Sequence, residues 1–166
     1  KKANPALSIG YVAMAYQWRP GSASTDKPDD WWVGADATDW LGVDAYVAGW
    51  EKTAYSLKDD PQFQRWYGWA KTKGKLLILP EYGVEAEATG GFSDAVRADA
   101  IRASMRWVAT QPDIKLVLWW NGTRATPGGK DHQLDPTTSY PTDTTPLARA
   151  AWNEWVVTYG KTTPSW

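Results

Sequence analysis

Apolar residues along this chain collect into four short runs: LSIGYVAMAYQW (7–18), DWLGVDAY (39–46), KLLILPEYG (75–83) and IKLVLWWNG (114–122). None alternates cleanly between apolar and polar, as a strand with one wet face does. Continuous runs of this length are the pattern of strands buried on both faces of a parallel sheet. Elsewhere the apolar spacing lengthens to a helical period. Residues 60–74, DPQFQRWYGWAKTKG, set an aspartate before a proline, carry an aromatic stripe at Phe63, Trp66 and Tyr67, and stop at Gly74. Residues 93–112 start at Ser93 as N-cap, place Val96, Ala100, Ile101, Met105 and Val108 on one face, and run to Pro112. Residues 145–160 repeat the scheme, with Pro146 in the first turn and Gly160 at the end.

Strand starts recur every 32 to 39 residues, the length of a βα unit. The first run is followed by a Gly/Pro/Ser/Asp loop, RPGSASTDKPDD (19–30), in place of a helix pattern. A second loop, 121–145, is longer than most connections inside a compact domain, a feature common in functional loops. The order β, loop, β, α, β, α, β, α suits both a doubly wound sheet and a (β/α)8 barrel. The strand ends decide between them. Trp18, Asp44 with Tyr46, Glu81, and Trp120 with Asn121 each stand where a strand gives way to its loop. In a barrel those positions converge on one mouth, where barrel active sites lie.

Composition narrows the function. At 166 residues the chain can bury one substantial core, and its length gives no reason to expect two. Basic and acidic residues balance at 18 and 19, which argues against a nucleic-acid partner and against an anionic membrane surface. No apolar run approaches the ~20 residues of a membrane span. Cysteine is absent and His132 is the single histidine, so thiolate chemistry and histidine-rich metal sites are excluded and a Ser-His-Asp triad is disfavoured. Tryptophan is the outlier, with 13 residues against 2 phenylalanines; taken singly most fill core, but together they suit a surface that grips sugars. The opening Lys1-Lys2-Ala3 has neither a starting methionine nor a secretory signal and reads as a trimmed segment.

Four segments, TDWLGVDAY, KLLILPEYGVE, IKLVLWWNG and HQLDPTTSYPTDTTPLARAAW, resemble in order and spacing the last four βα units of a clan A glycoside hydrolase. The nearest pattern is that of family 26 mannanase-like and related endoglycanase barrels. There the sixth strand reads D-W-[IL]-G-[VI]-D-x-Y, the seventh ends in E-[FYW]-G, and the eighth ends in an aromatic followed by a polar residue. A W-x-L-D turn and an alanine-rich helix close the domain; His132 stands here at the tryptophan of that turn. The resemblance implies an α/β fold of four βα units corresponding to the second half, strands 5–8, of a TIM barrel. Residues 1–166 are then a single partial (β/α)8 domain. A closed barrel needs about 200 residues or more, so an upstream half is implied as well.

By the resemblance Glu81 is the catalytic nucleophile of a retaining glycosidase, which works with a second carboxylate that protonates the leaving oxygen. Pro80, without an N–H, would interrupt the ladder where the strand ends, and Gly83 would let the chain turn away. Tyr46 is expected to neighbour Glu81 and hydrogen-bond it. Asp44 points to the same layer, in the site or in a structural role. Trp119 and Trp120 cannot both face inward, because neighbours on a strand alternate. Trp120, in register with Leu116 and Leu118, is favoured as the sugar platform, with Trp119 and Asn121 completing the substrate-binding set. Trp18 lines the cleft or packs in the core. Glu85 and Glu87 read as loop charges. Asn153-Glu154 imitates the asparagine-glutamate pair of a clan A proton donor, but it lies inside the last helix and is set aside.

The donor itself belongs to the absent fourth strand. Losing general-acid help costs about 100- to 10,000-fold, so the chain alone is expected to be a poor glycosidase. No cofactor and no metal are implied. The expected partners are an oligo- or polysaccharide, and the missing N-terminal half of the barrel or another chain covering the open sheet edges. The expected location is extracellular or surface-associated, a virion surface included. Two rivals stay open: a non-catalytic carbohydrate-binding or structural module, and a half-barrel that dimerises over its apolar inner face.

Overall fold

All four apolar runs form strands of one parallel sheet, ordered β1-β2-β3-β4. In the computed structural model, which describes residues 4, 6–19, 28–48, 55–87, 90–122, 132–134 and 145–160, they are β1 (Gly10–Met14), β2 (Trp40–Val47), β3 (Leu76–Val84) and β4 (Ile114–Trp119). Short 3-10 turns at Ala15–Trp18, Pro28–Asp30 and Ala35–Ala37 occupy the connection from β1 to β2, where the sequence predicted a loop. Most of the loop 121–145 and much of the loop 19–30 lie outside the described residues. Asp39 pins the start of the β1–β2 pair: its amide donates to the Ile9 carbonyl at 2.7 Å, and its carboxylate accepts from the Ile9 amide at 2.8 Å. From there the register runs Gly10–Trp40 to Met14–Asp44.

Three helices follow the later strands: α1 (Pro61–Lys71), α2 (Asp94–Ala109) and α3 (Pro146–Tyr159). Asp60 caps α1 by accepting from the amides of Gln62 and Phe63, which would otherwise be orphan donors. Ser93 holds the cap position of α2 but makes no capping hydrogen bond. The first turn of α3 is capped from another helix: the Asp94 carboxylate accepts from the Leu147 and Ala148 amides at 2.8 and 2.9 Å. Thr145, at the local cap position, instead donates its hydroxyl to the Leu134 carbonyl.

By packing, the chain divides into two units. The first comprises Lys1–Tyr46, Leu57–Tyr82 and Gln111–Trp119; the second comprises Val47–Ser56, Gly83–Thr110 and Trp120–Trp166. The core of the first draws on one face of the sheet (Leu41, Val43, Ala45, Leu77, Leu79) and on Phe63, Trp66, Tyr67 and Ala70 of α1. An aromatic group of Tyr11, Trp18, Trp32 and Trp69 adjoins it, with ring centroids 5.0 to 6.4 Å apart. In the second unit α2 packs on α3, joined at the surface by Arg102 and Glu154.

The expectation of burial on both faces is not met. Val12, Met14 and Leu118 are 41%, 42% and 48% exposed, whereas Leu41, Val43, Leu77 and Leu79 are fully buried. The strands are apolar on both faces, but the sheet is covered on one. The helix stripe of α2 also differs from expectation. Val96 is 41% exposed and Arg97 is buried in its place, where its Nε and Nη2 donate to the carbonyls of Val84 and Gln133, each at 3.0 Å. Among the described residues no helix is long and apolar enough to cross a membrane.

Candidate active site

Alternation along β2 sends Leu41, Val43 and Ala45 into the core and leaves Gly42, Asp44 and Tyr46 on the open face. On β3 the same rule would bury Glu81 beside Leu77 and Leu79. A bulge prevents this. Leu79 pairs with Val117 and Tyr82 with Trp119, so β3 spends three steps where β4 spends two, and the extra residue falls within Pro80-Glu81. Proline is tolerated at a bulge because no ladder donor is required of it there. The outcome is that Tyr82 is buried and Glu81 turns to the face of Tyr46. Gly42 makes room opposite: a β-carbon on it would lie 3.2 Å from Cδ of Pro80 and 3.3 Å from Cγ1 of Ile78.

The hydroxyl of Tyr46 donates to Oε2 of Glu81. Burial, then the hydrogen bond and charge of Glu81, then the charge of Asp44, hold the Tyr46 phenol far above the ordinary tyrosine range, so it remains a donor at any physiological pH. Asp44 is pushed up to about 6, first by desolvation and then by the charge of Glu81. It has no hydrogen-bond or ion-pair partner among the described residues. The site is therefore a half-buried carboxylate held by a phenol, with a second, unpaired carboxylate beside it. Such a pair can stabilise a developing positive charge and offer a nucleophilic oxygen.

The remaining candidates fall in different places. Trp119 ends β4 and packs edge-on against Tyr82, with centroids 5.5 Å apart, on the covered side of the sheet. Trp120, one residue on, is 47% exposed. Asn121 is exposed, and its side-chain oxygen accepts from the Leu134 amide at 2.8 Å. Trp18 is buried against Trp69, which is the packing alternative for this residue. Glu154 is engaged by Arg102 on the helix surface at 3.2 Å.

Three sequence readings near the site are corrected. The strand does not stop at Glu81 but continues to Val84, and Gly83 makes no turn. Its missing side chain accommodates His132, whose Cδ2 would lie 2.8 Å from a β-carbon there. His132 is accordingly a buried residue, with its amide donating to the Gly122 carbonyl. Glu85 is not a loop charge: it is fully buried, its amide donates to the Val47 carbonyl, and its carbonyl accepts from Phe92, because the chain keeps pairing past the end of the strand. Only Glu87 is exposed as expected. Arg97 was missed altogether, since a single arginine in a helix gives no sequence signal that its partners will be backbone carbonyls.

Among the described residues no group of three or more histidines, cysteines, aspartates or glutamates could hold a metal ion. The sequence matches no family model, and no curated protein is significantly similar to it. Solved structures do share the fold. An endo-β-1,4-glucanase from Xanthomonas axonopodis pv. citri, a triple mutant, aligns at a TM-score of 0.55 and 14% identity over 85% of this chain. A GH113 β-1,4-mannanase aligns at 0.52 and 16% identity over 89%, and a GH2 β-galacturonidase from Eisenbergiella tayi at 0.52 and 13% over 80%. At these identities the likeness concerns the fold alone. The fold is α/β, four parallel strands with their helices, and it matches part of a TIM-barrel glycosidase. The chain spans 45% of the glucanase, 45% of the mannanase and 26% of the galacturonidase.

Proposed function

We propose that this chain is the nucleophile-bearing part of a retaining β-glycan hydrolase, with Glu81 as the nucleophile. The observation that carries the reading is the Tyr46–Glu81 hydrogen bond between adjacent strands of the sheet, made possible by the bulge at Pro80-Glu81. In the reaction an oxygen of Glu81 attacks the anomeric carbon as the glycosidic bond breaks, and the leaving oxygen takes a proton from an acid. Water then cleaves the glycosyl ester and restores the carboxylate. Tyr46 keeps the attacking oxygen oriented through both steps. The general acid belongs to the rest of the barrel, in the same polypeptide or on another chain, which also covers the apolar face around Val12, Met14 and Leu118. Sequence motifs, rather than contacts, support the placement nearest family 26 and the role of Trp120 as the platform under the reacting sugar.

The complete protein tests this through Glu81→Gln. The amide keeps shape and hydrogen bonding but cannot form a stable ester to the sugar, so hydrolysis of a β-1,4-glycan should be abolished while glycan binding survives. Wild-type hydrolysis by that variant would refute the assignment. Failure of the unmodified protein to cleave any β-glycan, or to form a glycosyl adduct detectable by mass, would leave the carbohydrate-binding module in its place.

A further inference from the structure

The open face of the sheet is uneven in charge. On it β1 brings Val12 and Met14 and β4 brings Leu116 and Leu118, none of which titrates; β2 brings Asp44 and Tyr46, and β3 brings Glu81. Two carboxylates thus share one small area, and the one cation of the four strands, Lys115 on β4, stands toward the other end of the sheet, between the partners of Leu77 and Ile78. Tyr46 satisfies Glu81, but Asp44 has no donor among the described residues. A half-buried carboxylate without a donor is costly unless a ligand supplies one, and a sugar hydroxyl is a suitable donor. A sugar that carries its own carboxylate meets repulsion from both residues instead.

Resting on the glycosidase reading above, we infer that Asp44 is a specificity-determining residue, which accepts a hydroxyl of a neutral β-linked sugar at Glu81 and rejects uronic acid units there. The fold alone leaves this open, since a β-galacturonidase shares it. The local charge decides. Because Asp44 titrates near 6, it is ionised and active as a filter at pH 7.5.

The test uses the intact protein carrying Glu81→Gln, so that ligand is not consumed and Asp44 is the remaining carboxylate of the pair. Dissociation constants are measured at pH 7.5 and low salt for two hexamers with the same β-1,4 backbone, one of glucose and one of glucuronic acid. The glucuronic acid hexamer should bind about 10-fold more weakly, a gap set by charge repulsion. Adding Asp44→Asn should close most of that gap, Asp44→Glu should preserve it, and raised salt should narrow it. A merely structural role for Asp44 would weaken both ligands together and leave their ratio unchanged. Equal binding of the two hexamers, or a ratio indifferent to Asp44→Asn, overturns the inference while leaving the glycosidase reading intact. Binding of neither hexamer overturns the inference, and the glycosidase reading is then decided by whether the unmodified protein cleaves any β-glycan.

Discussion

Tyr46 on β2 reaches Glu81 on β3 only because β3 carries one more residue than β4 between Leu79 and Tyr82. That single inserted residue changes a carboxylate destined for the core into one on the open face. Bulges commonly re-aim side chains beside active sites, and here the bulge coincides with the proline that precedes the carboxylate.

Removing the phenol should impair chemistry more than binding. A hydrogen bond to a charged group is worth about 1.5–3 kcal/mol, so Tyr46→Phe in the complete protein should lower kcat about 10- to 100-fold. KM for a β-glycan should change little, and circular dichroism should show an intact fold. Unchanged kcat would mean that the hydrogen bond does not serve the reaction.

The two neighbouring tryptophans should separate stability from binding. Trp119 packs on Tyr82, so Trp119→Ala should cost about 2–3 kcal/mol in a denaturant titration. Trp120 is exposed, so Trp120→Ala should shift stability by less than about 0.5 kcal/mol. In the complete protein it should weaken glycan binding about 10-fold through lost stacking. Normal glycan affinity in Trp120→Ala would remove that residue from the site.

Gly83 and His132 should be energetically coupled. Gly83→Ala sets a methyl 2.8 Å from the imidazole Cδ2 and should cost about 1–3 kcal/mol by overpacking. In the background of His132→Ala the same substitution should be nearly neutral. A double-mutant cycle measures the difference directly, and additive effects would show that the ring does not restrict Gly83.

Asp44 should make the protein less stable as the medium becomes less acidic. Its folded-state pKa, about 6, lies above the ordinary aspartate value of 3.8. The folded state therefore takes up a proton first on acidification, so Asp44 contributes stability that is complete below about pH 4 and lost as pH rises through about 6. Asp44→Asn should accordingly raise Tm at pH 7 and give little advantage at pH 4. Asp60 is also raised by burial, but it is present in both proteins and cancels in the comparison. A stabilisation by Asp44→Asn that is equal at both pH values would contradict the assigned titration.

The helix signals were legible where they depend on neighbours in sequence. Asp60 before Pro61 is a cap that needs only the next three residues, and the structure places it as such. Ser93 gave the correct start of α2 but not the capping bond, and the cap of α3 comes from Asp94, 53 residues upstream of Leu147. Arg97 shows the same limit. A charge in an apolar stripe looks misplaced until the carbonyls of Val84 and Gln133 arrive from elsewhere in the chain.

Sequence alone determined four parallel strands, their order of helices, and a glutamate after the apolar run of the third strand, because periodicity and caps are local properties. Tertiary structure alone decided which way that glutamate points. Strict alternation assigns Glu81 to the buried face, and only the pairing of β3 with β4 reveals the extra residue that reverses it. It also decided that Asp44 lies beside Glu81 with no partner among the described residues, that Gly83 makes room for His132, and that Val12, Met14 and Leu118 on one face of the sheet stay exposed. Each of these depends on groups far apart in sequence meeting or failing to meet, and a hydrophobic pattern records what a face requires rather than what covers it.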